Sequence, residues 1–173
     1  MAGEIIKLFG SGNLNDKKGY RVKIVNKFRF EKKPRKFAYY YNQLRLYNKN
    51  HAGFKNSTVH DSVSIFKESG TNEIGQLNNI IYHQSFRSIA HWIGKINSYS
   101  TMQARDAILR NKKTSIIKIL LTPIVAFFKA YFIRRYFIYG FDGLIYSYLF
   151  AFSRFAKAIK IREAYKEKFL SKN

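Results

Sequence analysis

Residues 19–30 read GYRVKIVNKFRF. Tyr20, Val22, Ile24, Phe28 and Phe30 fall on one parity, and Arg21, Lys23, Lys27 and Arg29 on the other. Side chains alternate across a strand, so this period of two predicts a strand with one buried face and one basic, solvated face. Lys32-Lys33-Pro34-Arg35 ends the pattern. A second extended stretch is expected over residues 37–47, closing on Leu44-Arg45-Leu46-Tyr47 before an Asn48-Lys49-Asn50 turn.

Further along the chain, Gly70 and Gly75 mark residues 62–76 as loop, and Ile80-Ile81-Tyr82 is a short strand. The period then changes. Ile89, Trp92, Ile93 and Ile96 recur at i, i+3, i+4 and i+7, one face of a helix running from Ser85 to about Leu109. Two more helices are expected over residues 114–136 and 142–169, on either side of Tyr139-Gly140-Phe141. Strands come first and helices last. The division follows: a strand-and-loop region over 1–83 and a helical, basic region over 84–173. A sheet that opens this abruptly leaves unpaired edges, which suit a fragment or an obligate assembly.

Composition narrows the function. The 173 residues are 46% apolar, enough for a packed core. Cysteine is absent, which excludes disulfides and thiolate-held zinc. The formal net charge is +22, calling for an anionic partner. Residues 107–162 carry eleven Lys or Arg against one acid, Asp142, in a very apolar setting. The longest uncharged apolar run covers residues 119–128 and contains Pro123. A spanning helix needs about 20 apolar residues, so no conventional transmembrane helix is expected. No secretory signal is read at the N-terminus. Basic residues interleaved with aromatics predict a membrane-surface region instead. Arg134, Arg135, Lys157 and Lys160 would face anionic headgroups, and Phe127, Phe128, Tyr131 and Phe132 would enter the boundary. Each such cation contributes roughly 1 kcal/mol near an anionic leaflet.

Three stretches carry a family resemblance. Gln43-Leu44-Arg45-Leu46-Tyr47 is followed by Val59-His60-Asp61. His83-Gln84-Ser85 runs into Lys95-Ile96-Asn97-Ser98-Tyr99-Ser100, with Ala104 beyond it. Phe127-Phe128-Lys129-Ala130-Tyr131 precedes Gly140-Phe141-Asp142-Gly143. In this order they resemble the family 2 glycosyltransferases that build lipopolysaccharide core and related surface glycans. Those enzymes have an Arg-Leu-Phe-like strand, a Val-His-Glu/Asp motif, a His-x-Ser helix start, a Lys-x-Asn-x-Tyr-Ser motif and a Gly-Phe-x-Asp-Gly hairpin. Tyr47 stands where phenylalanine is usual.

The resemblance implies the α/β C-terminal half of a GT-A-like fold, a small mixed sheet followed by a helical basic tail. It implies transfer of a hexose from a nucleotide-sugar to a lipid-linked saccharide at the cytoplasmic face of the inner membrane. The nucleotide-binding half, with the Asp-x-Asp motif that holds Mg or Mn, has no counterpart here. Glu4-Ile5-Ile6 resembles the helix just downstream of that motif, so the divalent metal is expected only with the missing half. This chain alone is expected to be inactive.

By the same resemblance Asp61 is the general base that takes a proton from the acceptor hydroxyl. Taken alone, Asp61 reads first as a turn aspartate capping the next segment, and the resemblance reverses that order. His60 supports the site, since neighbours in an extended chain point to opposite faces. Arg45, His83, Lys95, Asn97 and Tyr99 are candidate substrate contacts, and His83 is the residue placed to reach a diphosphate or metal. Two other readings stand beside this one. A non-catalytic membrane-surface adaptor accounts for the basic tail. A nucleic-acid-binding protein accounts for charge and aromatics, but no recognisable nucleic-acid motif accompanies them.

Overall fold

A computed structural model describes residues 1–12, 17–54, 62–66, 74–84 and 86–170. The chain forms two compact units, Met1–Pro34 with Tyr40–Ser85, and Arg35–Tyr39 with Phe86–Asn173.

The first unit is a mixed α/β layer. Helix α1 (Ala2–Gly10) precedes strands β1 (Gly19–Asn26), β2 (Tyr40–Tyr47), β3 (Ala52–Phe54), β4 (Val63–Ile65) and β5 (Ile74–His83). The main sheet has the order β2-β1-β5, and β3 and β4 form a separate antiparallel pair. β1 runs antiparallel to β2 and parallel to β5. Alternation in β1 matches the sequence: Tyr20, Val22 and Ile24 are buried, and Arg21 is exposed. Tyr20, Val22 and Leu77 form a core, against which Met1 and, from α1, Ile5 and Leu8 pack.

The strand stops at Asn26, earlier than its pattern suggests. Glu31 N–H donates to the Phe28 carbonyl at 3.2 Å, and this turn ends the alternation. Phe28 is buried, but Phe30 is 84% exposed and not on the core face. β5 also exceeds expectation, since the loop predicted over 62–76 contains β4 and the start of β5. Gly75 lies against the Tyr20 ring, so the glycine allows close packing there and does not mark a loop.

Two bulges shape the sheet. Tyr20 pairs with Leu46 and Arg21 with Leu44, which leaves Arg45 as the extra residue in β2. On the other side Arg21 pairs with Gln76 and Lys23 with Ile80, so Leu77, Asn78 and Asn79 all stand opposite Val22. The Glu4 carboxylate accepts from the freed N–H groups of Asn78 (2.7 Å) and Asn79 (3.1 Å), and from the Asn79 side chain (2.6 Å).

The second unit is helical: α2 (Ile89–Leu109), α3 (Ile116–Phe128), a π-helical turn Lys129–Ile133, a 3-10 turn Tyr136–Tyr139, and α4 (Phe141–Leu170). Ser88 and Ser115 cap α2 and α3, accepting from His91 N–H at 3.0 Å and Lys118 N–H at 3.2 Å. The α2 cap is therefore Ser88, and the expected start at Ser85 is displaced; Ser85 itself lies outside the described residues. The α2 seam is Trp92, Ile96, Ser100, Ala104 and Ala107. Ile89 and Ile93, expected on that seam, are exposed. Small residues let the helices approach closely, and Ala104 and Ala107 meet Ile161 of α4 in one core. Phe86 stacks on Trp92 at 3.6 Å.

The Gly140–Gly143 motif is no hairpin. Gly140 takes a positive φ of 61°, and α4 begins at the next residue with Asp142 in its first turn. Among residues 37–47 the strand begins only at Tyr40. Residues 35–39 join the helical unit, where Arg35 donates to the Ile138 carbonyl (2.7 Å) and Arg135 to the Phe37 carbonyl (3.3 Å).

Candidate functional site

Parallel strands present their carboxyl ends together, and in α/β sheets ligands commonly bind outside that edge. In the first unit this edge is formed by Asn26 of β1 and His83 of β5, which are register partners. His83 is exposed, and its carbonyl accepts from Lys27 N–H at 2.9 Å. Tyr41, near the start of the antiparallel β2, extends its hydroxyl to Asn26 Oδ1 at 3.5 Å. The Lys23 ammonium lies 5.3 Å from the Tyr40 ring centre. The edge thus collects an imidazole, an amide and a phenol, groups that orient and hydrogen-bond a polar ligand.

Asn26 and Tyr41 were not singled out by the sequence reading. Their signal is topological: only the parallel pairing of β1 with β5 brings Asn26 and His83 side by side.

Arg45 stands elsewhere. Its place opposite Tyr20 and Arg21 lies five residues along β1 from Asn26, about 17 Å at strand rise. As the bulged residue it turns outward, and its guanidinium donates to Gln43 Oε1 at 2.6 Å. Arg45 and His83 therefore occupy opposite ends of one sheet. Asp61 and His60 lie outside the described residues.

The remaining candidates sit on α2. Lys95 and Tyr99 share one helix face, and Tyr99 is exposed. Asn97 is on another face and is engaged internally. Lys160 of α4 donates to the Asn97 carbonyl (2.9 Å), to Asn97 Oδ1 (2.7 Å) and to Thr101 Oγ1 (2.7 Å).

Of the cations assigned to a membrane surface, Arg135 is exposed and Lys160 is bonded to α2. The Arg134 guanidinium lies over the Phe150 ring at 4.2 Å and the Tyr39 ring at 5.4 Å. Arg154 shares the same Phe150 ring at 5.0 Å. Lys157 is half-buried; burial, then Arg154, Lys112 and Lys118, hold its ammonium below the usual lysine range. Burial and Arg134 likewise lower Arg154. Burial raises the Tyr136 phenol.

Among the described residues no three His, Asp or Glu side chains are grouped so as to hold a metal ion. His83 belongs to no such group among the described residues.

Similarity to known proteins points one way. The chain is 45% identical to an uncharacterized glycosyltransferase of Rickettsia bellii over 164 residues, 92% of this chain and 56% of that protein. It is 43% identical to one from Rickettsia prowazekii, again over 92% of this chain and 56% of the relative. It is 42% identical to one from Rickettsia felis, over 93% of this chain and 58% of the relative. The chain is similar to proteins named glycosyltransferase along nearly its whole length. It spans a little over half the length of these curated relatives. No protein-family model matches the chain. No solved structure matches it.

Proposed function

We propose that this chain is the acceptor-side half of an inverting, family 2-like glycosyltransferase of GT-A type. It works with a nucleotide-sugar-binding half and transfers a hexose to a lipid-linked saccharide of the cell surface, as in lipopolysaccharide synthesis. The observation that carries the reading is the 45% identity over 92% of this chain to a glycosyltransferase of which it spans 56%. The parallel β1–β5 pair supports it, because it supplies the sheet edge a transferred group would meet.

In the proposed reaction Asp61 takes the proton of the acceptor hydroxyl. The hydroxyl oxygen bonds to the anomeric carbon, and the bond from that carbon to the nucleoside diphosphate breaks. His60 steadies that region. His83, with Asn26 and Tyr41, orients the polar part of a substrate at the strand ends. In the helical unit, taken by itself, Lys95 and Tyr99 offer polar contacts on one face of α2, and Asn97 holds Lys160. Arg45 contacts phosphate at the opposite end of the sheet. A divalent ion, Mg or Mn, would be held by the other half and would supply neutralising charge for the departing diphosphate.

We place the protein peripherally on the cytoplasmic face of the inner membrane. Among the described residues one helical run, Ile116–Ile133, is eighteen residues long and apolar enough by length and composition to span. It runs past the sequence count because α3 continues through Pro123 and into the π-helical turn across Lys129. At 1.5 Å per residue it measures about 27 Å, the minimum for a bilayer core. Lys118 and Lys129, eleven residues apart, return to one edge of the helix and are both exposed. Ile117, Leu121, Val125 and Phe128 form an exposed apolar face beside that edge. A helix lying in the membrane plane uses both features. Arg135 and Lys157 add positive charge in the same unit, with Arg134 and Lys160 drawn further in.

The test is to co-express the chain with the part of the Rickettsia bellii relative that it does not span and supply radiolabelled nucleotide-sugars with bacterial membrane lipids. Label should pass to lipid only with both halves present, and Asp61→Asn should lower the rate by at least a hundredfold. Vesicle binding with no transfer under any complementation would instead establish the adaptor reading.

A further inference from the structure

We propose that the groove between α3 and α4 binds one acyl chain of a membrane phospholipid; this rests on the membrane placement proposed above. The groove has a volume of about 490 Å³, within the range of ligand pockets. On the α3 side it is walled by the segment around Pro123 and Phe127, and on the α4 side by Tyr148, Ala151, Phe152 and Phe155. Those four α4 positions fall at i, i+3, i+4 and i+7, a single stripe along the helix. Apart from the Tyr148 phenol, every lining side chain is hydrocarbon.

The surroundings select the occupant. The groove opens beside the exposed apolar face of α3, where Ile117, Leu121 and Val125 are each more than half exposed. A bilayer resting on that face delivers hydrocarbon directly to the groove mouth without passage through water. On the other edge of α3, Lys118 and Lys129 stand where lipid phosphates would lie. Residues 107–162 hold a single acid against eleven cations. The complementary surface is therefore apolar at its centre and anionic at its rim. A phospholipid has that pattern in one molecule. The occupied groove would anchor α3 by one chain, adding about fourfold in affinity for each methylene it buries.

The experiment uses the full chain and vesicles of mixed phosphatidylglycerol and phosphatidylcholine. A trace of the phosphatidylcholine carries a diazirine midway along its acyl chain. After irradiation, crosslinks should map to peptides containing Phe127 and residues 148–155. Phe152→Glu should keep vesicle binding and lose those crosslinks at least tenfold, with the helical circular dichroism unchanged. Ile124→Glu replaces it if that variant does not fold. Leu121→Glu with Ile117→Glu should abolish vesicle binding itself. Bound vesicles with crosslinks confined to Ile117 and Leu121, or crosslinks in the groove that survive Phe152→Glu, would overturn the acyl-chain site and leave the membrane placement standing. If the chain ignores vesicles, that placement fails. A monomeric lysophospholipid titration then decides the groove separately: no saturable binding ends it too.

Discussion

Glu4 is one of only ten acidic residues in the chain, and it satisfies backbone N–H groups that a bulge in β5 has released. The bonds from Asn78 N–H and the Asn79 side chain lower its carboxyl below the usual 4.5. The stabilisation is therefore complete above pH 4.5 and is lost as the pH falls through the lower folded value. Glu4→Ala should lower Tm at pH 7, and the difference from wild type should vanish in strong acid; a pH-independent difference would refute the carboxylate's role. Lys160 is the second telling side chain. It looks like a surface cation in sequence, yet it makes three bonds to α2. Lys160→Met should cost about 1 kcal/mol. That corresponds to a fall in Tm of roughly 2–4 °C by differential scanning calorimetry.

Among the elements, α4 depends on a glycine for its first turn. A Cβ on Gly143 would run into the Tyr136 carbonyl, and the next side chain along the seam, Ser147, is fully buried with its hydroxyl donating to the Gly143 carbonyl at 2.7 Å. Backbone cannot yield there as a flexible side chain can. Gly143→Ala should destabilise by about 1–3 kcal/mol. Gly94, with nothing near its missing Cβ, is the control: Gly94→Ala in the middle of α2 should be neutral or stabilising. Equal losses in urea unfolding at both positions would contradict the packing explanation. The element-scale misreadings share one cause. Period identifies a strand or helix, but its ends depend on turns and caps, such as the Phe28–Glu31 turn that cuts β1 short and the Ser88 cap that delays α2.

At the scale of the molecule, charge is in excess and is held at some cost. Lys157 is desolvated and pressed by Arg154, Lys112 and Lys118, which lowers its affinity for a proton. Removing that charge should relieve the fold while weakening an anionic contact. Lys157→Met is expected to raise Tm in vesicle-free buffer and to lower affinity for phosphatidylglycerol vesicles roughly fivefold, the equivalent of about 1 kcal/mol. Flotation assays over a salt series would check the second effect, whose size should shrink as salt rises. A lower Tm combined with unchanged vesicle affinity would contradict both parts.

The residues alone determined the α/β class, the core parity of Tyr20, Val22 and Ile24, and the approximate span of every long helix. Those follow from local periodicity, which each segment carries in its own side chains. The resemblance to glycosyltransferases was also legible, because short motifs keep their order along a chain. Only the tertiary structure decided that β1 runs parallel to β5, which brings Asn26 beside His83 and sets Arg45 at the far end of the sheet. It alone decided that residues 35–39 join the helices and that Lys160 turns inward. Pairing partners and side-chain destinations depend on contacts between residues up to about a hundred positions apart, such as Arg35 with Ile138. No local pattern encodes which distant carbonyl a given cation will find.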